Sequence, residues 1–137
     1  MKDSVVVSVP SHPKYLSVVR DITSGIAKVN TLDDSIIGDI KLAVDEACSN
    51  VIKHAYKGET DKKILLKYNV TKRSFKLVIE DKGIKASMEN MKGRDLEDIK
   101  PGGLGIHFIK RVFDIFELDE KKKSGNRLIL VKYLKER

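Results

Sequence analysis

The chain has 137 residues, enough for one domain with a core and too few for two. Hydrophobic residues make up 41% and charged residues 34%, which excludes collagen-like, coiled-coil and wholly disordered classes. The net charge of +7 comes from 27 Lys+Arg against 20 Asp+Glu and attracts polyanions, but the basic residues are spread along the chain, and with 6% aromatics and no Trp a base-stacking nucleic-acid surface is not expected.

The first predicted element is a strand over residues 4–9, closed by Pro10. Its apolar run is too short for a secretory signal, since Ser8 and Pro10 interrupt it and Asp3 precedes it. A helix over 14–29 follows, with Pro13 in its first turn and Leu16, Val19, Ile22, Ile26 and Val29 at three- and four-residue spacing. The clearest element is a second helix that Thr31 or Asp33 can cap. Ile36, Ile40, Ala43, Ala47, Val51 and Ala55 recur along it, and Lys57-Gly58 ends it.

Two strands, 63–70 and 75–80, are joined by a polar link at 71–74 and form a predicted hairpin. Residues 82–101 lose periodicity apart from a short helical turn at 96–99, and so long an irregular stretch is commonly an active-site lid. A helix over 105–113 and strands at 114–119 and 127–134 complete the order β-α-α-β-β-lid-α-β-β. Paired strands and clustered helices argue for an α+β fold, with helices on one face of a mixed, mostly antiparallel sheet, in one domain over 1–137. The single Cys48 allows no internal disulfide and reads as a small core residue, and no stretch approaches the ~20 apolar residues of a membrane helix. A cytoplasmic protein without membrane association is the expectation.

Three short motifs carry chemistry. Glu46 and Asn50 lie one helical turn apart beside the apolar stripe, a carboxylate and an amide at the margin of the core or simply a solvated polar edge. Asp81-Lys82-Gly83 closes a strand; it is a turn, or it aims a carboxylate into a pocket where it can accept from an exocyclic amine. Gly102-Gly103-Leu104-Gly105 opens a helix, where glycines let the backbone approach a phosphate and free N–H groups favour an anion; a plain loop-to-helix turn has the same composition. It is neither a Walker loop nor the dinucleotide fingerprint.

In order and combination these motifs resemble the GHKL ATPase superfamily, the Bergerat-type nucleotide-binding fold of gyrase, histidine kinases and MutL. Within it, V-D-E-A-C-S-N-V-I-K-H-A-Y and P-G-G-L-G-I-H-F-I-K-R-V-F-D resemble the anti-sigma-factor serine/threonine kinases, over nearly the whole chain. The resemblance implies a two-layer α/β sandwich that binds ATP and Mg²⁺, with Asn50 on the metal, Glu46 as general base, and Asp81 and Gly83 at the adenine. It assigns Gly102, Gly103, Leu104 and Gly105 to the phosphates, residues 84–101 to the ATP lid, and Lys100 among the basic lid residues that reach the phosphates. It implies a homodimer whose substrate is an anti-sigma-factor antagonist and whose other partner is a sigma factor, with Arg20 on the first helix as a partner contact. A nucleotide-gated binding module without phosphoryl transfer is the alternative.

Two positions depart from the family pattern. Lys85 stands where a second glycine is common, and Gly125-Asn126-Arg127 replaces a Thr-bearing strand start, so support for Asp81 has to come from Asn126, from water, or not at all.

Overall fold

The computed structural model describes residues 3–89 and 105–135. Strand β1 (Ser4–Pro10) leads through a 3₁₀ turn at Pro13–Tyr15 into helix α1 (Leu16–Val29), and α2 (Asp34–Asn50) runs on into a π turn at Val51–Ala55. Strands β2 (Lys63–Val70) and β3 (Ser74–Asp81) follow, then α3 (Gly105–Val112), β4 (Ile115–Leu118) and β5 (Asn126–Tyr133). The sheet order is β1-β2-β3-β5-β4. Every pairing among the described strands is antiparallel, so the sheet is not mixed.

Alternation along the strands decides which face is covered. Ile64, Leu66 and Tyr68 of β2 and Phe75, Leu77 and Ile79 of β3 are buried against Val19, Ala27, Ile40 and Val44 of the helices. Lys67 and Lys76 alternate with them onto the other face. The Tyr68 hydroxyl needs a partner at this depth and shares a 2.8 Å hydrogen bond with Thr23 Oγ1 of α1, while its ring meets Phe75 edge-on at 6.1 Å.

The helical stripes differ from strict three- and four-residue spacing. On α1 the buried set is Val19, Thr23, Ser24 and Ala27, and Val29 is 80% exposed because the last turn passes the edge of the core. On α2 the core takes Ile37, Ile40, Ala43, Val44, Ala47 and Cys48, leaving Ile36 half-buried. Asp33 occupies the N-cap position of α2 without a side-chain cap hydrogen bond, and Thr31 instead takes a positive φ of 60° in the turn before it. After Asn50 the helix widens, and the Tyr56 amide bonds Val51 O, five residues back, at 3.0 Å. One extra residue in a turn rotates everything after it by about 100°. Ile52, Ala55 and Tyr56 are thereby the buried residues of this stretch, and Val51 is only half-buried.

Candidate functional site

Helix α2 ends on Asn50, which is 6% exposed, and β3 ends on Asp81, which is 5% exposed. A buried carboxylate has to be hydrogen-bonded. Asp81 Oδ1 accepts from the Gly83 amide at 2.8 Å and from Asn126 Nδ2 at 2.9 Å. Asn126 stands directly across the sheet from Asp81 as the first residue of β5. Its Nδ2 also donates to Ile84 O at 2.9 Å, and its Oδ1 accepts from the Ala86 amide at 2.7 Å. Those partners fix the amide's orientation, since one end faces two acceptors and the other a donor. Of the possible supports for Asp81, Asn126 is the one the structure places there.

Two glycines make this corner possible. A Cβ on Gly83 would fall 2.3 Å from the carbonyl oxygen of Ala55, beside the 2.8 Å hydrogen bond from the Ile84 amide to that same oxygen. Gly83 is therefore required by close packing on the π turn. Gly125 has a φ of +67°, and a Cβ there would lie 2.1 Å from Asp81 O.

Asn50, Asp81 and Asn126 share the lining of a small cavity of about 30 Å³ with apolar side chains such as Ala47, Ile79 and Ile106. That is the volume of one water. Glu46 lies one turn before Asn50, half-buried, and is not among the lining residues. Gly105 begins α3 with a φ of +54° and is buried. Gly102, Gly103, Leu104 and Lys100, like the predicted turn at 96–99, lie outside the described residues. Among the described residues no three His, Cys, Asp or Glu gather as a metal site. Mg²⁺ does not need one, because it keeps waters and substrate phosphate oxygens and takes one or two protein ligands. An amide oxygen such as that of Asn50 is a ligand type Mg²⁺ accepts, and a carboxylate such as Asp81 is an acceptor type for an exocyclic amine.

A larger cleft of about 780 Å³ lies behind the same corner. Ser8, Leu65 and Glu80, opposite one another on adjacent strands, line it from the sheet face away from the helices, and Ala55, Tyr56, Asp81 and Gly83 line it from the corner. Glu80 pairs there with Lys67 at 2.9 Å and Arg127 at 3.4 Å, and the hydrogen bond from Lys67 holds its carboxyl below the usual 4.5. This cleft has the volume of a small-molecule site and is lined by Asp81 and Gly83; the smaller cavity shares Asp81 with it and adds Asn50 and Asn126, so the candidate site is centred on Asp81.

Arg20 on α1 forms a 2.6 Å ion pair with Asp45 on α2, both side chains partly exposed. Cys48 is fully buried, and burial, with Asp45 nearby, raises its thiol to about 12. No described helix is long and apolar enough to cross a membrane.

Among the described residues an antiparallel five-stranded sheet is covered on one face by three helices, and a buried strand-end carboxylate lines one cavity with a helical asparagine, the architecture of a Bergerat-type nucleotide-binding domain. Residues 9–132 match the histidine kinase-like ATPase domain, and the chain belongs to that family. It is 33% identical over 147 aligned positions to the serine-protein kinase RsbW of Listeria innocua serovar 6a, covering all of this chain and 91% of the relative. It is 28% identical over 141 positions to the RsbW of Bacillus subtilis, covering 96% and 86%. A solved structure of the RsbU and RsbW domains of a Mycobacterium tuberculosis protein superposes with a TM-score of 0.69 at 14% identity. That match covers 98% of this chain and 33% of the other, and it shows the fold.

Proposed function

We propose that this chain is an ATP-dependent serine/threonine protein kinase that phosphorylates an anti-sigma-factor antagonist and also binds a sigma factor, so that the antagonist's phosphorylation state selects the partner. The observation that carries the reading is the buried Asp81 carboxylate, held by Gly83 and Asn126 in one cavity with Asn50. The basic surface and the names of the relatives support it.

In this reading Asp81 accepts from the adenine amine. Gly102, Gly103, Leu104 and Gly105 hold the phosphates, with Lys100 reaching them from a lid at 84–101. Asn50 would hold Mg²⁺, which when bound would supply neutralisation of the phosphate charge. Glu46 takes the proton from the substrate hydroxyl as the hydroxyl oxygen bonds to the γ-phosphorus and the bond to ADP breaks. Arg20 contacts a protein partner, which requires the partly exposed Arg20–Asp45 pair to open at a cost of about 1 kcal/mol. A cytoplasmic homodimer of one domain per chain completes the proposal.

The test is phosphoryl transfer from γ-labelled Mg-ATP to antagonist proteins of the same genome, with wild type beside Glu46→Gln and Asn50→Ala. Label on an antagonist serine or threonine, lost in both variants, is the expected result. Tight Mg-ATP binding without transfer to any antagonist would make the chain a nucleotide-gated binder instead.

A further inference from the structure

The corner that presents Asp81 is held from behind as well as from the side. Tyr56, the residue after the π turn, is 5% exposed. Its hydroxyl donates to Lys63 O at 2.5 Å and accepts from the Lys82 amide at 2.8 Å. Lys82 lies between Asp81 and Gly83. Ile84, two residues on, is tied to Ala55 O at 2.8 Å, and Gly83 packs on that carbonyl with no room for a Cβ. Two consecutive residues of the π turn's end therefore grip three consecutive residues of the loop after β3.

We infer that Tyr56 is a positioning residue for nucleotide selection: its hydroxyl sets the loop 82–84, and with it the Asp81 carboxylate, at a fixed distance from Asn50. The inference rests on the proposed role of Asp81 at the purine. The phase of the helix explains why a tyrosine is needed there. An unbroken α-helix would carry residue 56 about 100° away around the axis. The π turn rotates it onto the sheet end, where a long side chain with a polar tip spans from the helix to both the first residue of β2 and the residue beyond β3. A phenol is suited to this because it donates and accepts through one atom. Burial, the leading effect on its acidity, raises its pKa and keeps it protonated. Asn126 holds the carboxylate itself and Tyr56 holds the backbone that carries it, so the two act on different bonds of the same corner.

Tyr56→Phe removes the oxygen and keeps the ring. Binding of Mg-ATP and Mg-GTP is measured by calorimetry, with the unfolding midpoint determined alongside. The C6 amine of ATP can donate to Asp81, whereas GTP in the same pose presents its C6 carbonyl there, so misplacing the carboxylate weakens ATP by about tenfold, the order of one hydrogen bond to a charged group. GTP affinity stays as in wild type, and the ATP/GTP ratio collapses. An equal loss for both nucleotides, or no loss for either, overturns the inference, whatever the midpoint does. Amide exchange in wild type provides a readout that does not need the variant to fold: the Lys82 amide should be protected without nucleotide, and free exchange there overturns the inference. A wild type that does not prefer ATP would instead remove the reading of Asp81 on which this rests.

Discussion

Asn126→Asp changes one NH₂ to an oxygen with almost no change in shape, and the surroundings make that change costly. In the wild type Nδ2 donates to Asp81 Oδ1 and to Ile84 O, both at 2.9 Å, at a residue 7% exposed. The replacement sets an oxygen against both. Two unit charges at that separation repel by about 6 kcal/mol at an effective dielectric of 20. The pair avoids this by keeping one proton, which lets one carboxyl donate to the other. Holding a proton at pH 7 on a carboxyl whose ordinary pKa is about 3.9 costs about 4 kcal/mol, and at pH 5 about 1.5 kcal/mol. The pair's folded pKa is raised, so its penalty is absent below the unfolded value and grows as pH rises towards the folded one. Urea unfolding of Asn126→Asp should therefore show a loss of about 4 kcal/mol at pH 7 that shrinks by about 2.5 kcal/mol at pH 5, relative to wild type. A loss below about 1 kcal/mol at pH 7, or one that does not change with pH, would refute the placement of Asn126 against Asp81.

Other consequences follow from the same geometry. Gly83→Ala drives a Cβ to within 2.6 Å of two Ala55 backbone atoms, and neither can rotate away. A stability loss of about 1–3 kcal/mol, with weakened ATP binding, is expected by denaturant titration and calorimetry. Cys48, raised to about 12 by burial against an unfolded value of 9.0, stays protonated in the folded chain while the unfolded chain ionises. Stability is thus lost as pH rises above 9, by about 1.4 kcal/mol at pH 10, and Cys48→Ala should lack that increment whatever its packing cost. Native Cys48 should also resist thiol reagents until the protein unfolds. Lys67 lowers the Glu80 carboxyl, so the Lys67–Glu80 contribution is fully present above about 4.5 and is lost as pH falls through the lower folded value. Acid unfolding of Lys67→Met should show a shallower loss below pH 4.5 than wild type.

Local signals in the sequence were sufficient for the strands. Residues 63–70 alternate in part and form β2 over that span, and β3 and β5 depart from the predicted ends by a residue. Helix α2 was legible as an element but not in its phase, because no residue pattern announces a π turn, and its rotation makes Tyr56 a structural clamp. Asn50 and Asp81 line one cavity, and Gly83 has a packing reason that the sequence did not show: a Cβ there would meet the Ala55 carbonyl. Gly125 and the full part played by Asn126 were not legible. They depend on β5 lying beside β3 in a register that sets Asn126 opposite Asp81, a pairing across 45 residues that no local signal encodes. The ion pair that occupies Arg20 likewise needs the α1–α2 packing to be seen.

The central claim is that Asp81 recognises a purine amine. Calorimetric titration of Mg-ATP into wild type and Asp81→Asn tests it most directly. The asparagine keeps an oxygen for the Gly83 and Asn126 donors and turns an NH₂ toward the base, donor against donor. The account predicts that Asp81→Asn stays folded and loses ATP affinity by about a hundredfold, the scale of an unpaired polar group in a site built to hydrogen-bond its ligand. Equal ATP affinity in the two folded proteins would contradict it.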